Sequence, residues 1–416
     1  MTKRVVTLTA GAALITAALV GAPLTAHAAP APVTVAFGVE RSAETYQERM
    51  GRALDGVDAP DHVKAQVRAV TAALPADADQ RLEMLDTQLG LDHTVWSEIV
   101  GQAINPEDYE CASTPLGEWS RAATSDWNDL ERLVYVLTPI GPLPTYDALL
   151  FGSESKLNEF GAEGEYTGLL NSQMKDLRSF WDIDGSKIQL IPMHGADVFS
   201  SIERLSRILK VAFTLSDDDA LKAGTAIKEL MDLLPAYQGG AHPIFSFNAF
   251  AVDATGEEGA FAGIGKRIVM GDGVMQGFDA IGIDTKVAPR AILAHEYGHQ
   301  VQFMHGLIDP SQASAEGTRR TELMADALAT YFMVHARGEA LNAQRTLGDQ
   351  LSFYNVGDCR FDSSGHHGTP DQRFRSAGWA VMVVDSAPNQ GDKLASAELI
   401  TRFDAQLPAL VAPDAN

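Results

Sequence analysis

The spacing of apolar positions divides the chain into a mainly helical first part and a mixed second part. Between residues 42 and 133, apolar side chains recur every three or four positions, as in DHVKAQVRAVTAAL, which is typical of amphipathic helices. From residue 186 onward, short β-prone runs alternate with helical segments; the runs are KIQLIPM, HPIFSFNAFAV and KRIVM. The pattern predicts an α+β protein in which a helical N-terminal region precedes a small sheet.

Two long helical segments in the second part are largely apolar. The first contains AILAHEYGHQVQFM; it is expected to begin at Pro289, a favoured first residue of a helix, and to end at Gly306. The second is expected to run from about Glu316 to Arg337 and to close at Gly338. Because helices with so little polar surface are usually buried, we expect both to lie in the core.

Composition and charge narrow the range of partners. The chain has 416 residues, of which 45% are hydrophobic, enough for a sizeable core in one large domain or in two or three ordinary ones. Its formal net charge is −23. Because so acidic a surface repels nucleic acid and anionic membranes, we expect neither as a partner.

The N-terminus has the pattern of an export signal. Lys3 and Arg4 precede an apolar run over residues 5–20, and AHA at residues 26–28 has the form of a cleavage site. The run is shorter than the roughly 20 residues that span a bilayer. We therefore expect a signal peptide over residues 1–28, a secreted protein and no stable membrane association after cleavage; an uncleaved anchor is the alternative.

Cys111 and Cys359 are the two cysteines in the sequence. In an exported chain two cysteines can form one disulfide, and two separate thiols are the alternative. Because Cys359 lies a few residues before His366, a bridge there would brace that loop.

The strongest chemical signal lies in the first apolar helix, at His295-Glu296-Tyr297-Gly298-His299. Residues four apart leave a helix on one face, so the two imidazoles can bind one metal ion. The carboxylate between them can hold a water molecule against that ion and accept its proton. A catalytic zinc site of this kind needs a third protein ligand and one open position.

Two residues compete as the third ligand. His305 follows His299 by six positions, which is the spacing of metzincins, but that pattern needs a glycine where this chain has Gln302. The helix is therefore expected to continue and to carry His305 away from the metal. Glu322, in RTELMADALATYF, is favoured because a carboxylate on a buried helix needs a partner, which a metal ion would supply.

Asp326 lies four residues after Glu322 and on the same helix face. A carboxylate there can accept the ring N–H of a metal-binding histidine and fix its orientation, and we expect it to orient His295. The alternative for both acids is a solvated helix face. The sequence thus predicts a Zn²⁺ site formed by His295, His299 and Glu322.

The order of these motifs resembles that of known zinc peptidases. H-E-x-x-H followed on the next helix by E-x-x-x-D resembles the gluzincin arrangement. Asn248-Ala249-Phe250 followed by IVMGDG at residues 268–273 resembles the thermolysin group, whose Asn-Ala-Phe edge strand binds the substrate backbone. The resemblance implies a zincin-like core, with a small sheet, an edge strand and two zinc-site helices. It also implies that Asn248 and the main chain of Ala249 align a peptide; an ordinary strand residue is the alternative for Asn248.

A second resemblance extends toward the C-terminus. HEYGHQVQ, ELMAD and HGTPDQR at residues 367–373 are similar to bacterial neutral zinc metallopeptidases, which show H-E-x-G-H-x-V-Q, E-L-x-A-D and H-G-T-x-x-Q-R in this order. The thermolysin group also has a C-terminal domain with its own catalytic histidine and calcium-binding acids, and this chain has no clear counterpart of those acids. His366 or His367 can take the place of that histidine as a donor to the oxyanion, with His367 favoured; Arg373 and Tyr331 are alternatives.

The sequence therefore predicts a secreted zinc metallopeptidase in which Glu296 activates a zinc-bound water. An inactive binding protein with a zincin fold and a zinc amidase acting on cell-wall peptides are the alternatives. After the signal, residues 29–165 are expected to form a helical region, either a removed pro-segment or a permanent domain, and residues 166–416 the catalytic domain.

Overall fold

The structure is a computed structural model that describes residues 9–11, 45–89, 113–308, 314–358 and 366–413. Most of the expected signal segment, Cys111 and Cys359 lie outside these ranges, so the signal and the disulfide stay predictions. Within the described ranges, no helix has both the length and the apolar character needed to cross a membrane.

Helices account for most of the described chain. They are α1 (Tyr46–Asp55), α2 (Asp61–Ala73), α3 (Ala78–Leu89), α4 (Pro115–Ala123), α5 (Asp129–Leu137), α6 (Leu143–Phe151), α7 (Thr167–Phe180), α8 (Gly195–Ser200), α9 (Ile202–Ala212), α10 (Asp217–Leu233), α11 (Asp272–Ala280), α12 (Ala288–Met304), α13 (Ala315–Val334), α14 (Ala343–Asn355), α15 (Pro370–Asp385) and α16 (Ser396–Leu410). The strands are β1 (Thr9–Gly11), β2 (Ile188–Met193), β3 (Ala249–Ala254) and β4 (Gly265–Gly271). The α+β class is confirmed.

The sheet has the order β1-β3-β4-β2. β3 and β4 are antiparallel, with Ala249 opposite Met270, and β2 runs parallel to β4. The short β1 pairs antiparallel with the outer edge of β3 at residues 251–253. β3, which begins directly after Asn248, is therefore next to the edge strand in this structure.

One expectation for the sheet region needs correction. The run at residues 242–252 was expected to be one strand, but Pro243–Ser246 forms a 3₁₀ turn and the strand begins only at Ala249. The physical reason is that proline fixes φ and has no N–H to donate to a sheet.

Two of the expected helices match the prediction closely. The bounds of α12 and α13 differ from the predicted bounds by three residues or fewer.

The sheet separates two hydrophobic clusters because side chains alternate between its faces. Phe250 and Val252 point into a cluster with α1–α3, α5, α6 and α8–α10. Ala249 and Ala251 point into the other cluster, which includes α4, α7 and α11–α16. α10 packs with α2 and α7 packs with α12, so helices beyond residue 165 contribute to both layers. The domain boundary at residue 165 stays a prediction.

Two contacts fix the position of α12. The side-chain amide of Gln300 donates to the carbonyl oxygens of Val252 (2.9 Å) and Arg267 (3.0 Å), which ties the helix to β3 and β4. On the opposite side, Gly298 lies so close to α13 that an added Cβ would be 3.2 Å from the backbone of Ala325. The two motif-bearing helices are thereby held side by side beneath the sheet.

Candidate metal centre

Three predicted ligands meet between α12 and α13. The Nε2 atoms of His295 and His299 are 3.1 Å apart. One oxygen of the Glu322 carboxylate lies 3.2 Å from Nε2 of His295, and the other lies 3.2 Å from Nε2 of His299. All three side chains are buried, and they form a group that could hold a metal ion in the part of the chain that the structure describes.

Hydrogen bonding fixes which nitrogen of His299 faces this centre. Gln302 donates from its amide nitrogen to the carbonyl of Thr321 (2.6 Å), which turns its amide oxygen toward Nδ1 of His299 at 2.8 Å. Nδ1 must then donate, so the lone pair of the neutral imidazole is on Nε2. From the sequence, Gln302 was considered only as evidence against a metzincin. The one sequence feature that could have indicated its contact with His299 is a polar residue three positions after a ligand on an apolar helix.

Asp326 lies where the sequence predicted it. Its Oδ1 atom is 2.8 Å from Nδ1 of His295, a short contact that is not aligned as an ideal hydrogen bond. Burial opposes the charged imidazole, but the contacts with Asp326 and Glu322 outweigh it and raise the pKa of His295 to about 9. A metal ion at Nε2 would therefore displace a proton.

The arrangement suits a divalent cation. Ligand atoms about 2.0–2.1 Å from a tetrahedral zinc are about 3.3–3.4 Å from one another, close to the spacing between the imidazoles and the carboxylate. Burial disfavours the Glu322 carboxylate, yet His299 and His295 hold its pKa well below the usual range, so it stays charged. Its Oε2 atom is buried without a hydrogen-bond partner. Electron-rich atoms gathered in this way need a cation between them.

His305 takes no part in this centre. α12 continues through Gln302 to Met304, as expected, and His305 follows at the exposed end of the helix. Its Nε2 atom bonds the hydroxyl of Ser396 at 2.7 Å. The group of possible metal ligands in the described residues does not include it.

Arg373 lies behind Asp326. Its Nε and Nη2 atoms donate to the two Asp326 oxygens at 2.8 and 2.6 Å, and both side chains are buried. Nη2 is also 3.7 Å from Oε2 of Glu322. Arg373, which the sequence analysis named as an alternative donor to the oxyanion, therefore pairs with Asp326 instead.

The other alternative, Tyr331, accepts a hydrogen bond from the backbone N–H of Leu394 at 2.8 Å. It lies on the opposite side of α13 from Glu322.

Replacing Arg373 with methionine is expected to destabilise the protein by about 3–5 kcal/mol, because Asp326 would remain buried without its counter-ion. We also expect the affinity for a divalent metal ion, with Zn²⁺ as the probe, to fall about 10- to 100-fold as His295 loses its orientation. Urea unfolding and zinc titration measure the two effects. The control is Arg320→Met, which removes a bidentate pair with Asp404 at the surface. Equal losses in the two variants would contradict the role of Arg373.

Glu296 lies beside the ligand histidines and is itself buried. Its Oε2 atom has no hydrogen-bond partner. Burial raises the pKa of its carboxyl well above the usual range, with partial compensation from His295. The side chain is therefore an acceptor with an available oxygen and an increased affinity for a proton, as a general base requires.

Asn248 and Ala249 lie at the start of β3. Both polar atoms of the Asn248 side chain are buried without a partner, while its main-chain oxygen accepts from Gly271 at 2.9 Å. An unpaired buried amide costs about 1–3 kcal/mol, so a partner from outside the chain would be favoured. The pairing of residues 9–11 with β3 indicates that this edge accepts an antiparallel segment.

His367 is held in the loop before α15. Its Nδ1 atom and its backbone N–H contact one oxygen of Asp358 at 2.7 and 3.0 Å, and Nδ1 of His366 contacts the other oxygen at 2.7 Å. Burial disfavours the Asp358 carboxylate, but the two histidines hold its pKa well below the usual range. Nε2 of His367 is the ring nitrogen outside these contacts. Gly368, the next residue, packs near Leu323 on α13.

A further acid lies behind the centre. Asp349 on α14 is buried; its Oδ2 accepts from Thr330 at 2.7 Å and its Oδ1 has no hydrogen-bond partner. Burial raises the pKa of Asp349 to about 7; the Thr330 hydroxyl opposes this shift, and the nearby Asp326 adds to it. No pattern in the sequence indicated that this aspartate is buried.

Asp349→Asn is expected to flatten the pH dependence of stability. An unfolded aspartate has a pKa of about 3.9, so between that pH and about 7 the unfolded chain releases a proton that the folded protein keeps. Stability then falls as pH rises, by up to about 1.4 kcal/mol per pH unit. We expect urea unfolding to show that the stability of the parent falls relative to that of the variant from pH 5 to pH 7, and that the difference is constant at higher pH. Parallel profiles would refute this assignment.

The resemblance to zinc peptidases rests on short ordered motifs, and the geometry above brings the predicted ligands together. Comparison of the chain with models of known families finds no match, and neither the curated proteins nor the solved structures include one that matches it.

Proposed function

We propose that the protein is a secreted, zinc-dependent peptidase with a gluzincin-type core. The observation that carries the proposal is the convergence of two imidazole Nε2 atoms and one carboxylate, 3.1–3.2 Å apart, beside the unpartnered Oε2 atom of Glu296. Two nitrogens, one oxygen and an adjacent base match the requirements of metal-assisted amide hydrolysis.

His295, His299 and Glu322 would hold the zinc ion. When bound, zinc lowers the pKa of a water molecule and polarises the carbonyl of the bond to be cleaved. Glu296 accepts the proton of the attacking water on Oε2 and passes it to the leaving amine. Its burial supports both steps, because a carboxyl with a raised pKa holds that proton long enough to deliver it.

The outer contacts keep the imidazoles in place for this task. Gln302 and Asp326 each face the Nδ1 atom of one histidine, which directs both Nε2 atoms toward the centre. Arg373 in turn holds Asp326 with two hydrogen bonds. Because none of these groups must move during the reaction, the centre is organised before substrate arrives.

The peptide track would follow β3. Residues 9–11, which pair with this edge of β3 in the structure, belong to the expected signal segment, so the edge would be open after that segment is removed. An extended peptide adds to a sheet edge through main-chain hydrogen bonds, and the main chain of Ala249 would supply some of them. The unpartnered amide of Asn248 would bind the substrate backbone. In its imidazolium form, in which both ring nitrogens donate, His367 would be held by Asp358 through Nδ1 and would donate from Nε2 to the oxygen that gains negative charge in the transition state.

Digestion of unfolded casein and of a peptide library tests the proposal. We expect cleavage by the zinc-loaded protein, loss of cleavage with a chelator and recovery when zinc is added back. Cleavage that survives complete metal removal would contradict the mechanism. Activity confined to cell-wall fragments would instead indicate an amidase, and zinc binding without any hydrolysis would indicate a binding protein.

A further inference from the structure

Arg319, on the second turn of α13, has a terminal nitrogen without a partner. Its side chain is only 6% exposed. The Nη1 atom is buried and makes no hydrogen bond. Nη2 pairs with Glu316, whose own side chain is half exposed. An unsatisfied N–H on a buried cation is costly, so the nitrogen favours an acceptor that arrives from outside the chain.

The position of Arg319 relates it to the metal centre. Arg319, Glu322 and Asp326 follow one another at three- and four-residue spacing and so occupy one face of α13. The stem of Arg319 also lies against the loop that carries His367, since an added Cβ on Gly368 would be 3.5 Å from its Cγ. The side chain therefore lies between α13 and the loop that would contact the reacting carbonyl.

Arg319 differs from the other charged residues around the centre. Glu296, Glu322 and Asp326 are acidic, and the positive charge of Arg373 pairs with Asp326. Among the described arginines, Arg319 is the one with a terminal guanidinium nitrogen that is buried and unpartnered. A carboxylate approaching this acidic chain would be repelled unless a cation received it, and a guanidinium binds carboxylates with matching geometry.

We propose that Arg319 binds a carboxylate of the peptide substrate close to the scissile bond; the inference rests on the peptidase function proposed above. Arg319 lies one turn before Glu322 on the same helix face, and its pairing with Glu316 directs the guanidinium further toward the start of α13. A carboxylate bound there would belong to a residue a few positions along the extended peptide from the cleaved bond. The group is either the C-terminal carboxylate or an acidic side chain at that distance.

Three peptides of equal length separate these sources. The first is neutral with a C-terminal amide, the second has a free C-terminus, and the third has a C-terminal amide and one glutamate near the cleaved bond. Binding is measured by fluorescence anisotropy to zinc-loaded Glu296→Gln protein, so that the readout does not depend on turnover. We expect one charged peptide to bind about 10- to 100-fold more tightly than the neutral one, since a charge-assisted hydrogen bond is gained.

Adding Arg319→Gln should abolish that advantage without changing the affinity for the neutral peptide. Arg320→Gln is the matched control: it removes the same charge from the next residue, which pairs with Asp404 at the surface, and should keep the advantage. Arg319→Lys retains the charge and guards against misfolding; it should keep part of the advantage. Zinc content is measured for every variant.

Equal affinity for all three peptides would overturn the role of Arg319 while leaving the peptidase proposal intact. Retention of the full advantage by a zinc-loaded Arg319→Gln variant would do the same. If the zinc-loaded protein neither binds nor cleaves any peptide, both proposals fail together.

Discussion

Glu296→Gln protein is expected to bind zinc as the parent does and to lose turnover by about two to four orders of magnitude. Glutamine has nearly the shape of glutamate, so the ligands on either side of it keep their positions. It cannot accept a proton, however, and the attacking water is no longer activated. The substitution therefore separates metal binding from catalysis.

The measurement pairs the cleavage-site profile and kcat with zinc content by elemental analysis. A suitable control is Glu339→Gln, since Glu339 is a largely buried acid whose pKa burial also raises, but it pairs with Arg290 rather than with the metal centre. That control should retain kcat. Full activity in the Glu296→Gln protein would refute the proposed mechanism.

Glu322→Ala is expected to abolish both zinc binding and activity. Removing the Glu322 carboxylate leaves two imidazoles with no anionic ligand. Loss of a residue that only orients a ligand lowers metal affinity by about 10- to 100-fold, so the loss of zinc affinity here should be larger. In contrast to Glu296→Gln, no excess of peptide or protein substrate should reveal residual zinc-dependent turnover.

Ligand-linked stability provides a second readout for this variant. Zinc at 100 times its dissociation constant should stabilise the parent by about 2.7 kcal/mol, and it should leave Glu322→Ala unchanged. Glu398→Ala, which removes an exposed acid paired with Arg402 on α16, should respond to zinc like the parent. Equal stabilisation of parent and Glu322→Ala would show that zinc binds elsewhere.

Local geometry explains how much of the centre could be predicted. The two histidines are one helical turn apart, so their convergence follows from the helix alone. Glu322 and Asp326 interrupt an apolar helix, and the need of a buried carboxylate for a partner indicated that they face the same ion. Both helices were predictable because long apolar patterns leave little choice of secondary structure.

The contacts that complete the centre escaped prediction because they join separate elements of the fold, although Arg373 and His367 were themselves candidates from the sequence. Arg373 meets Asp326 across 47 positions. Asp358 reaches His367 across a loop whose path no periodicity specifies. The burial of Asp349 depends on how α14 packs against α13, which a single sequence does not reveal. Each is a tertiary contact, with no signal in the local pattern of polar and apolar residues.

Gly298, between the two histidines, makes the spacing of the ligands a matter of helix packing. An alanine at this position would meet the backbone of Ala325 at 3.2 Å and force α12 and α13 apart by a few tenths of an ångström. Because His295 and His299 lie on α12 and Glu322 lies on α13, this displacement would move the carboxylate away from the two imidazoles. The absence of a side chain at Gly298 thus allows the three ligand atoms to lie as close together as they do.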